Sequence, residues 1–164
     1  MIEHVISKAD IQTTAQLAHK IWNQHYVPII GQDQVNYMVD KFQSESAISK
    51  QLKEGYQYFL IEYQSEPCGY LALVPNKSEN KLMISKIYVD IDYRGLSLGK
   101  KLLEFTIKKA KTEGLKTIWL TVNKNNTNAI KWYEKKGFKI KEEIVMDIGN
   151  GFVMDDYLLE LLIN

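Results

Sequence analysis

The stretch Asp90-Ile91-Asp92-Tyr93-Arg94-Gly95-Leu96-Ser97-Leu98-Gly99-Lys100 joins an apolar strand to an amphipathic helix. Upstream, residues 82–89 end on Ile87-Tyr88-Val89, and Met83, Ser85, Ile87 and Val89 alternate onto one face. Downstream, residues 98–113 bury Leu103, Ile107 and Ala110, with Leu102 widening the stripe, and Gly114 ends the run. A glycine-bearing loop that opens a helix leaves several backbone N–H groups without intrahelical acceptors. Those donors and the positive end of the helix dipole together make an anion site. Gly95 and Gly99 admit close approach of the backbone, and Arg94 and Lys100 add charge, so a diphosphate suits the loop. The glycine spacing fits neither a P-loop nor the Gly-x-Gly-x-x-Gly dinucleotide fingerprint. On these residues alone, a tight strand-to-helix connection without a ligand explains the glycines equally well.

Working outward, residues 2–6 read as a short strand, and residues 11–22 as a helix with Ile11, Ala15, Ala18 and Trp22 on one face and Asp10 as its cap. Pro28 and Gly31 are expected to break that helix; residues 34–42 and 46–53 follow as shorter helices closed by Gly55. Two strands, 56–63 and 68–74, flank the turn Gln64-Ser65-Glu66-Pro67. After the loop and its helix come a strand at 117–122, a helix at 127–136 closed by Gly137, and strands at 139–147 and 152–162 about Gly149-Asn150-Gly151. With no repeat, low-complexity tract or linker, residues 1–164 read as one domain. The expected class is α/β (α+β), a mixed central sheet of about seven strands flanked by about four helices.

The composition narrows the function by exclusion. Basic and acidic side chains number 21 and 20, for a net charge of +1, which leaves no basic footprint for nucleic acid. The single cysteine, Cys68, rules out an internal disulfide and reads as a small hydrophobe in a buried strand. Apolar stretches fall far short of the roughly 20 residues of a membrane span. The first residues lack a basic region followed by an apolar run, so neither a secretory leader nor a membrane partner is expected, and the cytoplasm is the expected location.

Arg94-x-x-Ser97-x-Gly99 after a strand ending Ile87-x-Val89 resembles the coenzyme A loop of the GNAT superfamily of N-acetyltransferases, Arg-x-x-Gly-x-Gly. Ser97 stands where that family usually has its first motif glycine; a serine supplies its N–H there with a negative φ. Downstream, Asn126-Thr127-Asn128-Ala129-Ile130-Lys131-Trp132-Tyr133, closing with Gly137-Phe138, resembles the family's Asn-x-x-Ala-x-x-x-Tyr. The resemblance spans residues 82–138. It implies a GNAT fold whose strands 82–89 and 117–122 splay apart to admit the pantetheine arm of acetyl-CoA, and it implies no metal.

By the same resemblance, the backbones of Ile87, Tyr88 and Val89 meet the pantetheine and thioester, and the amides of Arg94, Gly95, Leu96, Ser97, Leu98, Gly99 and Lys100 hold the diphosphate. Asn126 contacts the cofactor, and Tyr133 protonates the leaving thiolate, a role open to a phenol of ordinary pKa about 10. Many relatives place a glutamate base where this chain has Ser85, with Lys86 on the opposite face. Ser85 is too weak a base to act alone, so water or a side chain of the N-terminal helices such as His25 is left to deprotonate the amine; a histidine beside Tyr26 is also a common structural element. The segments around His25-Tyr26 and 147–157 resemble the bacterial spermine/spermidine branch, and Asp33, Asp40 and Glu62 are carboxylates available to a polyamine. The expected partner is therefore a small-molecule amine, and the resemblance admits a homodimer. Other small amines, a protein N-terminus, a non-catalytic CoA-binding module and an unrelated nucleotide-binding domain stay open.

Overall fold

A computed structural model describes residues 1–164. In chain order its elements are β1 (Ile2–His4), α1 (Lys8–His25), α2 (Val27–Ile30), α3 (Gln32–Gln43), α4 (Glu45–Lys53), β2 (Gln57–Tyr63), β3 (Glu66–Asn76), β4 (Lys81–Val89), a 3-10 turn (Ile91–Tyr93), α5 (Leu98–Thr112), β5 (Thr117–Asn123), α6 (Thr127–Lys135), β6 (Lys139–Gly149) and β7 (Phe152–Leu162). The strands follow the order β1-β2-β3-β4-β5-β7-β6 in a seven-stranded sheet. The pairing is mixed, with β4 and β5 parallel and β1–β2, β2–β3, β5–β7 and β6–β7 antiparallel. The expected class and strand number hold, and five of the six α-helices correspond to ranges read from the sequence. The addition is α2, which forms because Pro28 sits in a first turn, where its missing N–H removes no helical bond. No helix is long and apolar enough to cross a membrane.

The chain forms two compact units interleaved in sequence, Met1–Val74 with Lys86–Thr106, and Pro75–Ser85 with Ile107–Asn164. In the first, α1 starts earlier than expected because Ser7, not Asp10, is its cap. The Ser7 hydroxyl accepts from the Asp10 N–H at 3.1 Å, and the Asp10 carboxylate accepts from the Ser7 N–H at 3.0 Å, a reciprocal capping box. Leu17, Ala18 and Ile21 of α1 pack with Ile48 of α4 and with Tyr58, Leu60, Tyr70 and Ala72 of β2 and β3. The β2–β3 turn is tighter than expected. Gln64 and Ser65 both take positive φ (50° and 66°), as a two-residue type I′ turn requires, so Glu66 and Pro67 enter β3. Cys68 is fully buried in β3, as expected.

Gly69 of β3 fixes how closely β4 can approach. A Cβ there would lie 2.7 Å from the Tyr88 carbonyl oxygen and 2.8 Å from Ile61 Cγ2. Neither neighbour is the free end of a flexible side chain, so Gly69→Ala is expected to destabilise the protein by about 1–3 kcal/mol in urea unfolding. A change below about 0.5 kcal/mol, the level of a neutral surface substitution, would show that β4 gives way without strain.

In the second unit, β4 and β5 pair over Lys81–Met83 and Thr117–Trp119, and β5 pairs with β7 along its whole length. Leu82, Ile118, Leu120 and Leu159 are buried there. Helix α6 turns Ile130 and Tyr133 inward and stops at Gly137, whose φ of 99° is the left-handed conformation that ends helices. The Gly149-Asn150-Gly151 turn forms where expected, with positive φ at all three residues.

Candidate functional site

The strand, loop and helix that the sequence singles out lie in the first unit up to Thr106. Ile87, Tyr88 and Val89 are half-buried at the end of β4, and the Asp90 N–H then donates to the Cys68 carbonyl at 2.8 Å. Arg94, Gly95, Leu96 and Ser97 are exposed, whereas Leu98 is buried and anchors the first turn of α5. The Lys101 N–H donates to the Ser97 carbonyl at 3.0 Å, so the amides of Leu98, Gly99 and Lys100 precede the first intrahelical bond. Lys100 pairs with Glu104 at 3.7 Å, with both side chains solvated.

Ser97 does not meet the condition of a negative φ and sits at 58°, in the left-handed region. The chain keeps the backbone shape a glycine would give and bears the strain of a side chain there, roughly 1–3 kcal/mol. Gly95, at φ 83°, takes the same region without that strain. These two turns aim an exposed, cation-flanked loop at the start of a 15-residue helix. Arg94 and Lys100, two donor-bearing glycines and a helix N-terminus match what a diphosphate needs, so the residues fit the phosphate end of coenzyme A.

The same unit brings two groups of predicted residues together. Tyr26 ends α1, and its ring centroid lies 6.0 Å from that of Tyr88 on β4 and 4.3 Å from that of Trp22. Tyr88 also meets Trp22 at 5.7 Å and Tyr70 at 5.3 Å. His25 stands edge-on to Tyr26 at 4.7 Å. Trp22 and Tyr70 are buried, so the rings left to meet the alkyl chain and ammonium of an amine are those of His25, Tyr26 and Tyr88. A groove of about 680 Å³ opens elsewhere on α1, lined by Asn23, Asn36, Asp40, Gln43 and Glu45 among others, so Asp40 faces it with a second carboxylate.

Ser85, Asn126 and Tyr133 belong to the second unit. Asn126 is buried at the cap position of α6, where its carbonyl accepts from the Ile130 N–H at 3.1 Å and its side chain does not cap the helix. Tyr133 is 8% exposed, with its ring 5.3 Å from Trp132 and 5.5 Å from Phe138. It lies on the buried stripe, as the helical spacing requires.

Three titratable groups escaped the sequence reading. Lys86 does lie opposite Ser85, but it is only 5% exposed, and burial pushes its ammonium down to about 7. It donates to the Phe42 carbonyl, to Gln51 Oε1 at 2.9 Å and to the Tyr58 hydroxyl. The signal was a lysine in phase with buried Leu82 and Ile84. Asp156 on β7 is also buried, which raises its carboxyl to about 6 against a bond from Thr121. Asp90 is the third. Burial favours its neutral form, but Lys20, the Asp92 N–H and Gln24 together outweigh burial and hold it below the usual carboxylate range.

Comparison with known proteins identifies the family and the fold. The profile of the acetyltransferase (GNAT) family matches residues 17–138. An uncharacterized N-acetyltransferase of Methanocaldococcus jannaschii is 32% identical over 92 residues, 53% of this chain and 41% of that protein, so the chain spans under half of that relative. A spermidine N(1)-acetyltransferase of Thermoplasma acidophilum is 24% identical over 157 residues, 92% of each chain. The crystal structure of the PaiA N-acetyltransferase of Thermoplasma acidophilum in complex with coenzyme A superposes with a TM-score of 0.79 at 21% identity, covering 99% of both chains.

Proposed function

The chain belongs to the acetyltransferase (GNAT) family, and we propose that it transfers the acetyl group of acetyl-CoA directly to a small primary amine, with polyamines the first candidates. The observation that carries this reading is the loop before α5, where Gly95 and Ser97 take left-handed turns between Arg94 and Lys100. Residues 1–164 act in it as one catalytic domain. Arg94 and the amides from Gly95 to Lys100 hold the phosphates, and the backbone of Ile87 to Val89 lies along the pantetheine. Tyr26, Tyr88 and His25 receive the amine. The polyamine preference is supported by the spermidine acetyltransferase relative.

The reaction needs one new bond and one broken bond. The neutral amine nitrogen attacks the thioester carbon, and charge collects first on oxygen, where a β4 amide stabilises it. The C–S bond then breaks, Tyr133 delivers a proton to the sulfur, and the surplus proton that water takes from nitrogen returns through solvent to the Tyr133 phenolate. No covalent enzyme intermediate forms. Asn126 meets the cofactor from the cap of α6.

Mixing the protein with acetyl-CoA and a panel of amines is expected to release free thiol with spermidine or spermine ahead of other amines. Thiol release with a peptide N-terminus alone would replace the polyamine reading by protein acetylation. Heat stabilisation by CoA with no thiol release across the panel would instead favour a non-catalytic module, the reading that Ser85 supports.

A further inference from the structure

Asp90, between β4 and the phosphate loop, is a buried carboxylate held from α1. Its side chain is 2% exposed, and Oδ2 accepts from Lys20 Nζ at 2.6 Å. Oδ1 accepts from Gln24 Nε2 at 3.3 Å and from the Asp92 N–H at 3.0 Å. The same two α1 side chains reach one step further along the chain. Lys20 Nζ lies 3.2 Å from Asp92 Oδ2, and Gln24 Oε1 accepts from the Ile91 N–H at 3.3 Å. Lys20 and Gln24 are four residues apart, so they share one face of α1. That face grips the 3-10 turn from which the loop departs.

Two consequences follow for an anion held on that loop. The exposed run Arg94–Ser97 must be ordered to bind a diphosphate, and a turn fixed in advance lowers that ordering penalty. Asp90 and Asp92 are also negative charges within a few residues of the site. Unpaired, they would repel the phosphates; Lys20 faces both, and its single positive charge offsets part of that repulsion.

We propose that Lys20 and Gln24 are positioning residues for the cofactor, holding the phosphate loop through Asp90 and masking the Asp90 and Asp92 charges. The inference rests on the acetyl-CoA reading above. It assigns to α1, whose C-cap is Tyr26, control over affinity at a loop whose anchor, Asp90, lies 70 residues from Lys20 in sequence.

The test is CoA binding by calorimetry, with kcat and the KM for acetyl-CoA measured alongside. Lys20→Met is expected to weaken CoA binding roughly tenfold, in the usual range for coupling between sites, with kcat at saturating acetyl-CoA within twofold of wild type. Lys20→Arg should restore most of the affinity. Lys20→Met with Asp90→Asn should bind more tightly than Lys20→Met alone, because the uncompensated charge is gone. Gln24→Ala, which leaves every charge in place, should weaken binding less. An unchanged Kd in Lys20→Met, or a loss that neither Arg nor the Asp90→Asn partner repairs, overturns the proposal and leaves Lys20 a stabilising residue only. Failure of the wild-type protein to bind CoA would be seen before any variant is made, and would overturn the acetyl-CoA reading itself.

Discussion

Replacing Tyr133 with phenylalanine is expected to lower kcat by roughly 10²–10⁴-fold, the usual contribution of a positioned general acid, while leaving CoA affinity within about threefold. The substitution suits the site. Tyr133 is 8% exposed on α6, between the rings of Trp132 and Phe138, and phenylalanine keeps that volume and both ring contacts. What is lost is the hydroxyl alone, so a fall in turnover without a fall in binding separates proton delivery from packing. A second arm makes the assignment chemical. With a donor thioester whose thiol leaves readily as the anion, the sulfur no longer needs a proton, and the variant should approach wild-type turnover. Turnover within threefold of wild type on acetyl-CoA, or an equal deficit with both donors, removes Tyr133 from the proton-donor role.

The parts of the fold that local chain rules govern were legible in the sequence. The loop at Arg94–Lys100, the α5 stripe, the Gly137 stop and the Asn150–Gly151 turn all rest on residues adjacent to one another. The errors arose where a neighbour in sequence offered a competing partner. Asp10 has the chemistry of a cap, but its carboxylate is used reciprocally with Ser7, three residues earlier, which takes the cap position itself. Gln64 and Ser65 lack the Asn-Gly signature of a type I′ turn, so nothing in the local sequence marks a turn of two residues rather than four. A serine ordinarily keeps a negative φ, but the path from the 3-10 turn into α5 imposes the left-handed value on Ser97.

The groups that hold the candidate site were hidden for a different reason. Asp90 finds Lys20 and Gln24 at separations of 70 and 66 residues, and Lys86 finds Tyr58 and Phe42 at 28 and 44. Alternation alone places Lys86 on an inward face, but a lysine there is ordinarily read as pointing outward, since burying an ammonium is unfavourable unless acceptors are supplied. Three acceptors are supplied, by the end of α3, by α4 and by β2, and none is visible until those elements meet.

That burial leads to the second large effect. The unfolded chain titrates Lys86 at its ordinary 10.5, while burial lowers the folded value to about 7. Between those values the unfolded state holds a proton that the folded state lacks. Unfolding free energy must then rise with pH, by about 1.4 kcal/mol per pH unit from this one group. The bonds to Phe42, Gln51 and Tyr58 favour the ammonium, so they move the lower edge of the window upward and leave the sign and the limiting slope unchanged. Burial raises the Tyr58 and Tyr70 phenols, which makes stability fall again once unfolded tyrosine ionises near pH 10, and this bounds the useful range from above. Urea unfolding of the wild type and of Lys86→Met from pH 7 to 9.5 isolates the term, since all other groups cancel in the difference. The wild type is expected to gain up to about 3 kcal/mol on the variant across that range, and Lys86→Gln, which keeps a hydrogen-bonding side chain without a charge, should behave as Lys86→Met does. A difference that is flat with pH would mean that the three acceptors hold Lys86 charged throughout. One that falls with pH would mean that the folded state binds the proton more tightly than the unfolded chain, reversing the balance between burial and hydrogen bonding.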